Sequence, residues 1–365
     1  MKQFHTIKFS LSLICWLCIV QVQGQVVSPT GSELNDLESF IEERIATDKI
    51  PGLSIGIALK GELIYTKAFG YSDLEHQVLV NLNTVFEIGS VSKQFTATAI
   101  MLLVKQGKLK LDDPIQKYIP NLPGEWYGIT VHHLLTHTSG IPDYEAIEGY
   151  YNYRNRYTPE EIIQSAHSLP VDFKPGEGFF YSNTGYFLLS LIIEKTSGLS
   201  FEEFLHEGIF DPLDMTESGV TDPIKIIPNR AEGYYISRGE LKNTDASNLS
   251  STLGAGGIIS SMTDLVKWEN ALNQNKILDK EAQDKMWKRG KLNNGEETSY
   301  GYAWSLGEYK GLKRQSHSGQ MHGFVTHVIR LPDYDYVLIL LTNRYQINLS
   351  GIIEATMQSF IPSLK

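Results

Sequence analysis

A chain of 365 residues, 42% of them hydrophobic, is long enough to bury a large core in two or three domain-sized units. Its formal net charge of −10, without any block of lysine and arginine, argues against a nucleic-acid partner. Its only cysteines, Cys15 and Cys18, fall within the first 24 residues. A chain processed at that point can hold no disulfide, no thiolate nucleophile and no cysteine-bound metal.

Lys2 and Lys8 precede the apolar run FSLSLICWLCIV, and the chain turns polar at QVQGQ. That run is too short to span a bilayer. It has the proportions of a secretory signal peptide over residues 1–24, cleaved after Gly24 to give a periplasmic or secreted product with no stable membrane span. An uncleaved N-terminal anchor is the alternative. Ile14 before Cys15 is not the small residue that lipid attachment requires. Loss of the two lysines takes the net charge to −12.

A helical pattern, LNDLESFIEERIA, comes next. Alternating apolar and polar residues then predict a hairpin, 53–59 against 62–69, turning about Gly61. Helical patterns follow over 90–106, 130–135, 159–168, 183–195, 201–207 and 264–272. YGYAWSLGEY, GFVTHVIRL and YDYVLILLTNR read as three late strands, and IIEATMQSFI as a closing helix. Strands at both chain ends with helices between them predict an α/β protein of the α+β type, a mainly antiparallel sheet flanked by helices and carrying an inserted helical lobe. The expected division gives 25–88 and 225–365 to the α/β part and 89–224 to the lobe, with a cleft between them.

Chemistry enters at Ser90. Ser90 and Lys93 are one helical turn apart and face the same way, and Gly89 allows a tight entry that leaves Ser90 where free N–H groups favour a developing oxyanion. A lysine on an apolar helix is costly to bury without a purpose, whereas an N-cap serine beside a solvated lysine is the ordinary structural reading. Acting as a base, the lysine must be neutral part of the time, far below its usual pKa of about 10.4. A tyrosine that shares the proton would relieve that demand. Tyr-x-Asn begins at Tyr150, Tyr153 and Tyr181, but only Tyr181 to Asn183 follows a turn, KPGEGF, and opens an apolar helix. A packed aromatic beside Phe179 and Phe180 is the plainer reading of Tyr181. Late in the chain His317, Ser318 and Gly319 run into a strand, where the Gln320 N–H can pair with that of Ser90 as two oxyanion donors.

In that order, Ser90-Val91-Ser92-Lys93, Tyr181-Ser182-Asn183 and His317-Ser318-Gly319 resemble the three active-site motifs of the serine β-lactamase and penicillin-binding protein superfamily. The likeness is greatest to its branch of class C β-lactamases, D-alanyl-D-alanine carboxypeptidases and family VIII esterases. IPGLSIGIALKGELIYTKAFGYSD, HHLLTHTSGIPD, PGEGFFYSNTGY, GAGGIISSMTDLVKW and LLTNR extend it from about Asp36 to the C-terminus. The resemblance implies that Ser90 is acylated, that Lys93 and Tyr181 share the proton traffic, and that Asn183 holds Lys93 or a substrate amide. It implies substrate binding by His317, Ser318, Gly319 and Gln320. Two departures stand out. His317 replaces the lysine of class C enzymes, exchanging a fixed cation for a group that titrates near pH 6.5, as in some carboxypeptidase and esterase relatives. Gln320 replaces a small residue and narrows the pocket.

No metal is expected. His132, His133 and His137 contain an i, i+4 pair without the glutamate of a His-Glu-x-x-His site, and read as packing and turn residues. No Gly-x-Ser-x-Gly elbow or phosphate-binding glycine loop occurs, so neither an α/β-hydrolase nor a nucleotide cofactor is indicated. The aromatic stretch YEAIEGYYNYRNRY reads as a solvated loop, or as one lining the cleft. The expected protein is a cofactor-free serine hydrolase of a small-molecule or peptide substrate, cleaving a peptide-like amide. A carboxylesterase of the same family is the near alternative, and a non-catalytic binder of cell-wall peptides or β-lactams the distant one.

Overall fold

The computed structural model describes residues 25–148, 155–244, 248, 250 and 252–365. The proposed signal peptide, the Tyr150 triplet, and Tyr153 and Arg154 of the other lie outside them. Twelve strands occur among the described residues: β1 (Gly52–Leu59), β2 (Glu62–Asp73), β3 (Val78–Leu79), β4 (Phe86–Glu87), β5 (Gly219–Val220), β6 (Tyr234–Ser237), β7 (Glu240–Asn243), β8 (Ile258–Ser260), β9 (Ser305–Tyr309), β10 (Leu312–Met321), β11 (Phe324–Leu331) and β12 (Tyr336–Thr342).

Seven of them form one sheet in the order β3-β2-β1-β12-β11-β10-β9, antiparallel throughout. The earliest strand is therefore paired with the last, as expected of a sheet built from both chain ends. The β1–β2 turn uses Lys60 and Gly61, both with positive φ, the conformation that suits the twist of a two-residue hairpin. β12 is buried at every position. Its alternate residues enter two cores: Leu338 and Leu340 pack with the helices Gly31–Asp48 and Ser350–Phe360 on one face, and Val337, Ile339 and Leu341 join the larger core on the other. Gly56 lets the helix Met262–Asn273 lie directly on β1, since a Cβ there would sit 2.4 Å from Met262 Sδ.

The larger core surrounds the helix Ser92–Lys105, whose Phe95, Ile100 and Leu103 are fully buried, and the helix Asn183–Ser197 packed beside it. β4, β8 and β5 form a small second sheet beneath the start of that first helix. Two details differ from expectation. The strand read into YGYAWSLGEY is confined to Ser305–Tyr309, because Ala303, at φ 64°, turns the chain just before it. The motif His317-Ser318-Gly319 lies inside a strand, β10, which the polar run LKRQSHSGQM does not announce; it forms because β9 and β11 supply partners on either side.

Candidate active site

Ser90 sits on a single 3-10 turn, Gly89–Val91, that leads into the helix beginning at Ser92. Gly89 has φ 53°, and a Cβ on it would lie 2.6 Å from the backbone nitrogen of Gln320. Gly319 is tighter still: its Cβ would fall 1.9 Å from the Ile88 carbonyl oxygen and 3.1 Å from the Ser90 nitrogen. Two glycines thus bring the edge of β10 against the Ser90 turn. The two-residue turn that pairs Met321 with Phe324 fixes the ladder so that the Gln320 N–H points away from β11, toward that turn.

Lys93 is entirely buried. Its Nζ lies 3.1 Å from Ser90 Oγ, 2.7 Å from Asn183 Oδ1 and 2.7 Å from the Ala255 carbonyl oxygen. The ring of Tyr181 covers it at 4.7 Å and that of Tyr186 at 5.5 Å. Burial draws its pKa down to about 7, against the upward pull of the Glu145 and Asp143 charges. Ser90, Lys93, Tyr181 and Asn183, expected from separate stretches of sequence, form one contact group. The solvated-lysine reading is thereby excluded.

His317 behaves otherwise than expected. It is buried, with Nδ1 2.7 Å from the Ser318 carbonyl and Nε2 2.7 Å from the Tyr300 hydroxyl. A carbonyl can only accept, so Nδ1 carries the hydrogen and Nε2 accepts from Tyr300. Burial, reinforced by the Lys93 charge, pushes its pKa down to about 3, so it is not the cation titrating near 6.5 that its type suggests. Ser318 and Gln320 are exposed while His317, Gly319 and Met321 are buried, the alternation of a strand. Ser318 meets the group through its carbonyl rather than through its hydroxyl.

Four further residues belong to the site. Asp143 Oδ2 accepts from the Asn183 N–H at 2.9 Å and from Asn183 Nδ2 at 3.1 Å. His137, at φ 57°, accepts from the Ser182 N–H through Nδ1 at 3.2 Å, and its ring stacks 4.3 Å from Tyr181 and 4.7 Å from Tyr300. Burial holds it well below its ordinary pKa. Tyr300 and the Ala255 carbonyl complete the group. His137 and Asp143 lie in HHLLTHTSGIPD, whose likeness to the family is the one signal that could have drawn attention to them; a backbone carbonyl such as that of Ala255 leaves no signal in sequence. The three histidines of that stretch are engaged apart: His132 with the Tyr302 hydroxyl at 2.7 Å, His133 as an N-terminal cap on Thr130, and His137 as above. Among the described residues no group of three His, Cys, Asp or Glu side chains could hold a metal.

The family model for beta-lactamase matches residues 37–356, nearly the whole chain. The chain belongs to the beta-lactamase family. Its fold and its ordered motifs place it in the superfamily of serine β-lactamases and penicillin-binding proteins. It is 34% identical over 301 residues to penicillin-binding protein 4* of Bacillus subtilis (strain 168), an alignment that covers 78% of this chain and 66% of that one. The chain therefore spans just under two thirds of that relative's length. The octameric penicillin-binding protein homologue of Pyrococcus abyssi superposes with a TM-score of 0.77 at 34% identity, covering 91% of this chain and 80% of the other. The D-amino acid amidase of Ochrobactrum anthropi SV3, complexed with D-phenylalanine, superposes with a TM-score of 0.80 at 26% identity over 91% and 99% of the two chains. Among the described residues no helix is long and apolar enough to cross a membrane.

Proposed function

We propose that this beta-lactamase family member is an exported serine hydrolase that cleaves peptide-like amides through an acyl-enzyme on Ser90. The observation that carries the reading is Lys93, dry, drawn down to about pKa 7 and held 3.1 Å from Ser90 Oγ. The neutral amine takes the Ser90 proton, alone or with Tyr181, as Oγ bonds to the substrate carbonyl carbon. The ring of Tyr181 lies against Lys93, which keeps the tyrosine at hand to share the proton. The resulting oxyanion is met by the Ser90 and Gln320 N–H groups. Collapse breaks the C–N bond, and the departing amine receives the proton that the Lys93–Tyr181 pair took up. Water, deprotonated by the same pair, then hydrolyses the ester and returns Ser90.

The names of the relatives, penicillin-binding protein and D-amino acid amidase, support a substrate built on a D-amino acid, of the D-alanyl-D-alanine kind. A second reading, an esterase or amidase for substrates without a free carboxylate, is favoured by one observation: the third motif presents a neutral histidine where class C enzymes hold a cation. Export rests on residues 1–24, and the division into a sheet part, 25–88 with 225–365, and a helical part, 89–224, remains part of the proposal.

Intact-protein mass after mixing with a penicillin, a p-nitrophenyl ester and a D-Ala-D-Ala peptide, with turnover followed in parallel, tests the reading. An adduct or turnover present in the wild type and absent from Ser90→Ala supports it. Full activity in Ser90→Ala would sink it. Silence toward every donor would favour the non-catalytic binder.

A further inference from the structure

The segment from His137 to Tyr144 runs along the Tyr-Ser-Asn motif and holds it by a series of hydrogen bonds. The Phe180 N–H donates to the His137 carbonyl at 3.0 Å and the Ser182 N–H to His137 Nδ1 at 3.2 Å. The Tyr144 N–H donates to Thr184 Oγ1 at 3.0 Å, and that hydroxyl donates to the Pro142 carbonyl at 2.8 Å. These bonds place the backbone of the motif. They do not decide which end of the Asn183 amide faces Lys93.

That choice matters for the chemistry. A protonated Lys93 has three hydrogens for its three partners, Ser90 Oγ, Asn183 Oδ1 and the Ala255 carbonyl oxygen. The neutral amine has two hydrogens and one lone pair. Asn183 Oδ1 and the Ala255 carbonyl can only accept, so the two hydrogens go to them and the lone pair faces the Ser90 hydroxyl. That is the arrangement needed to take its proton. An Asn183 amide turned by 180° would point Nδ2–H at the lysine. It would then repel the ammonium, or occupy the lone pair in place of Ser90.

We propose that Asp143 is a positioning residue that prevents this reversal: it engages Asn183 Nδ2, turns Oδ1 toward Lys93, and so directs the lysine lone pair onto Ser90. The inference rests on the acyl-Ser90 reading. Asp143 suits the task because both its oxygens are committed as acceptors, Oδ2 from the Asn183 N–H and Nδ2 and Oδ1 from the Glu145 N–H at 3.1 Å. An asparagine at 143 would have to aim its own NH2 at one of those donors.

The test uses the full chain and p-nitrophenyl butyrate, with rates referred to folded protein from thermal melts. Asp143→Asn and Asp143→Ala should each lower kcat roughly tenfold or more while KM stays within about twofold, because the residue works through Asn183 and not on the substrate. In an Asn183→Ala background, Asp143→Ala should cost less than about twofold, since there is no amide left to turn. The groups that face Lys93 are Tyr181, Tyr186, Asp143, Glu145, His137 and His317. Removing the Asp143 charge takes away one of the two that hold the lysine pKa up, so the acid limb of kcat/KM should move to lower pH. That shift follows from the charge alone; the loss in kcat that disappears on Asn183→Ala is the readout a merely structural role would not give. The proposal is overturned if both variants keep kcat within about twofold, if the loss lies in KM alone, or if it persists in full on Asn183→Ala. Ser90→Ala separates the two ideas: activity retained there removes the acyl-Ser90 reading itself, whereas an inactive Ser90→Ala beside unaffected Asp143 variants removes only this inference.

Discussion

β12 and β10 lie two places apart in one sheet and are held in place by opposite means. β12 reads YVLILLT, is buried from end to end, and feeds alternate residues into two cores. β10 reads LKRQSHSGQM, seven of its ten residues exposed or partly exposed, and owes its conformation to the strands on either side and to two glycine contacts with the Ser90 turn. The difference teaches where stability and chemistry are lodged. The strand that contributes most apolar burial carries no reactive group, and the strand beside Ser90 is one whose own residues would not choose to be a strand.

Substitutions can break that comparison. Lys93→Met should lower acylation by about a thousandfold or more while the protein still melts cooperatively, because it removes the amine of the proposed Lys93–Tyr181 base and leaves an apolar side chain in an apolar place. Gly319→Ala should cost roughly a hundredfold in turnover, since a Cβ 1.9 Å from the Ile88 oxygen must push β10, and with it the Gln320 N–H, off the Ser90 turn; unchanged kinetics would show that this edge takes no part. Leu340→Ala, on β12, should do the reverse, lowering unfolding free energy by about 2–5 kcal/mol in chemical denaturation while kcat per folded molecule holds.

Smaller effects sharpen it. With the Lys93 amine as the proposed base and its pKa drawn down to about 7 by burial, kcat/KM should rise with pH up to about 7 and fall about tenfold per unit below it. An acid limb near 4 would assign the base elsewhere. The least change is expected from His317→Gln: with the ring neutral down to about pH 3, the pH dependence of KM for a carboxylate-bearing peptide between pH 5 and 8 should be the same in both proteins. A step near pH 6.5 that vanishes in the variant would restore the histidine as a cation.

The sheet built from both chain ends and the pairing of Ser90 with Lys93 were legible in the sequence, because apolar alternation and one-turn spacing are local and survive without knowledge of neighbours, whereas the place of Asn183 beside Lys93, 90 residues away, came only from the resemblance to the family. The charge of His317 was not. Its residue type says about 6.5, and only burial with Tyr300 on one nitrogen and the Ser318 carbonyl on the other makes it neutral. Asp143 and His137 stand out in the sequence only through a stretch that is similar to the family, which carries no sign of a role for either. Only the fold lays them against a motif some 40 residues later, where they accept from the Ser182 and Asn183 N–H groups.

By itself, then, the sequence determined the pattern of strands and helices, the order of the three motifs and the choice of Ser90 as the proposed nucleophile, since each depends on residue type and short spacing. Tertiary structure alone decided the protonation of Lys93 and His317, the formation of β10 and the direction of the Asn183 amide. Each of these depends on which dipoles and apolar groups arrive from distant parts of the chain, and desolvation acts on a group only once those parts have closed over it.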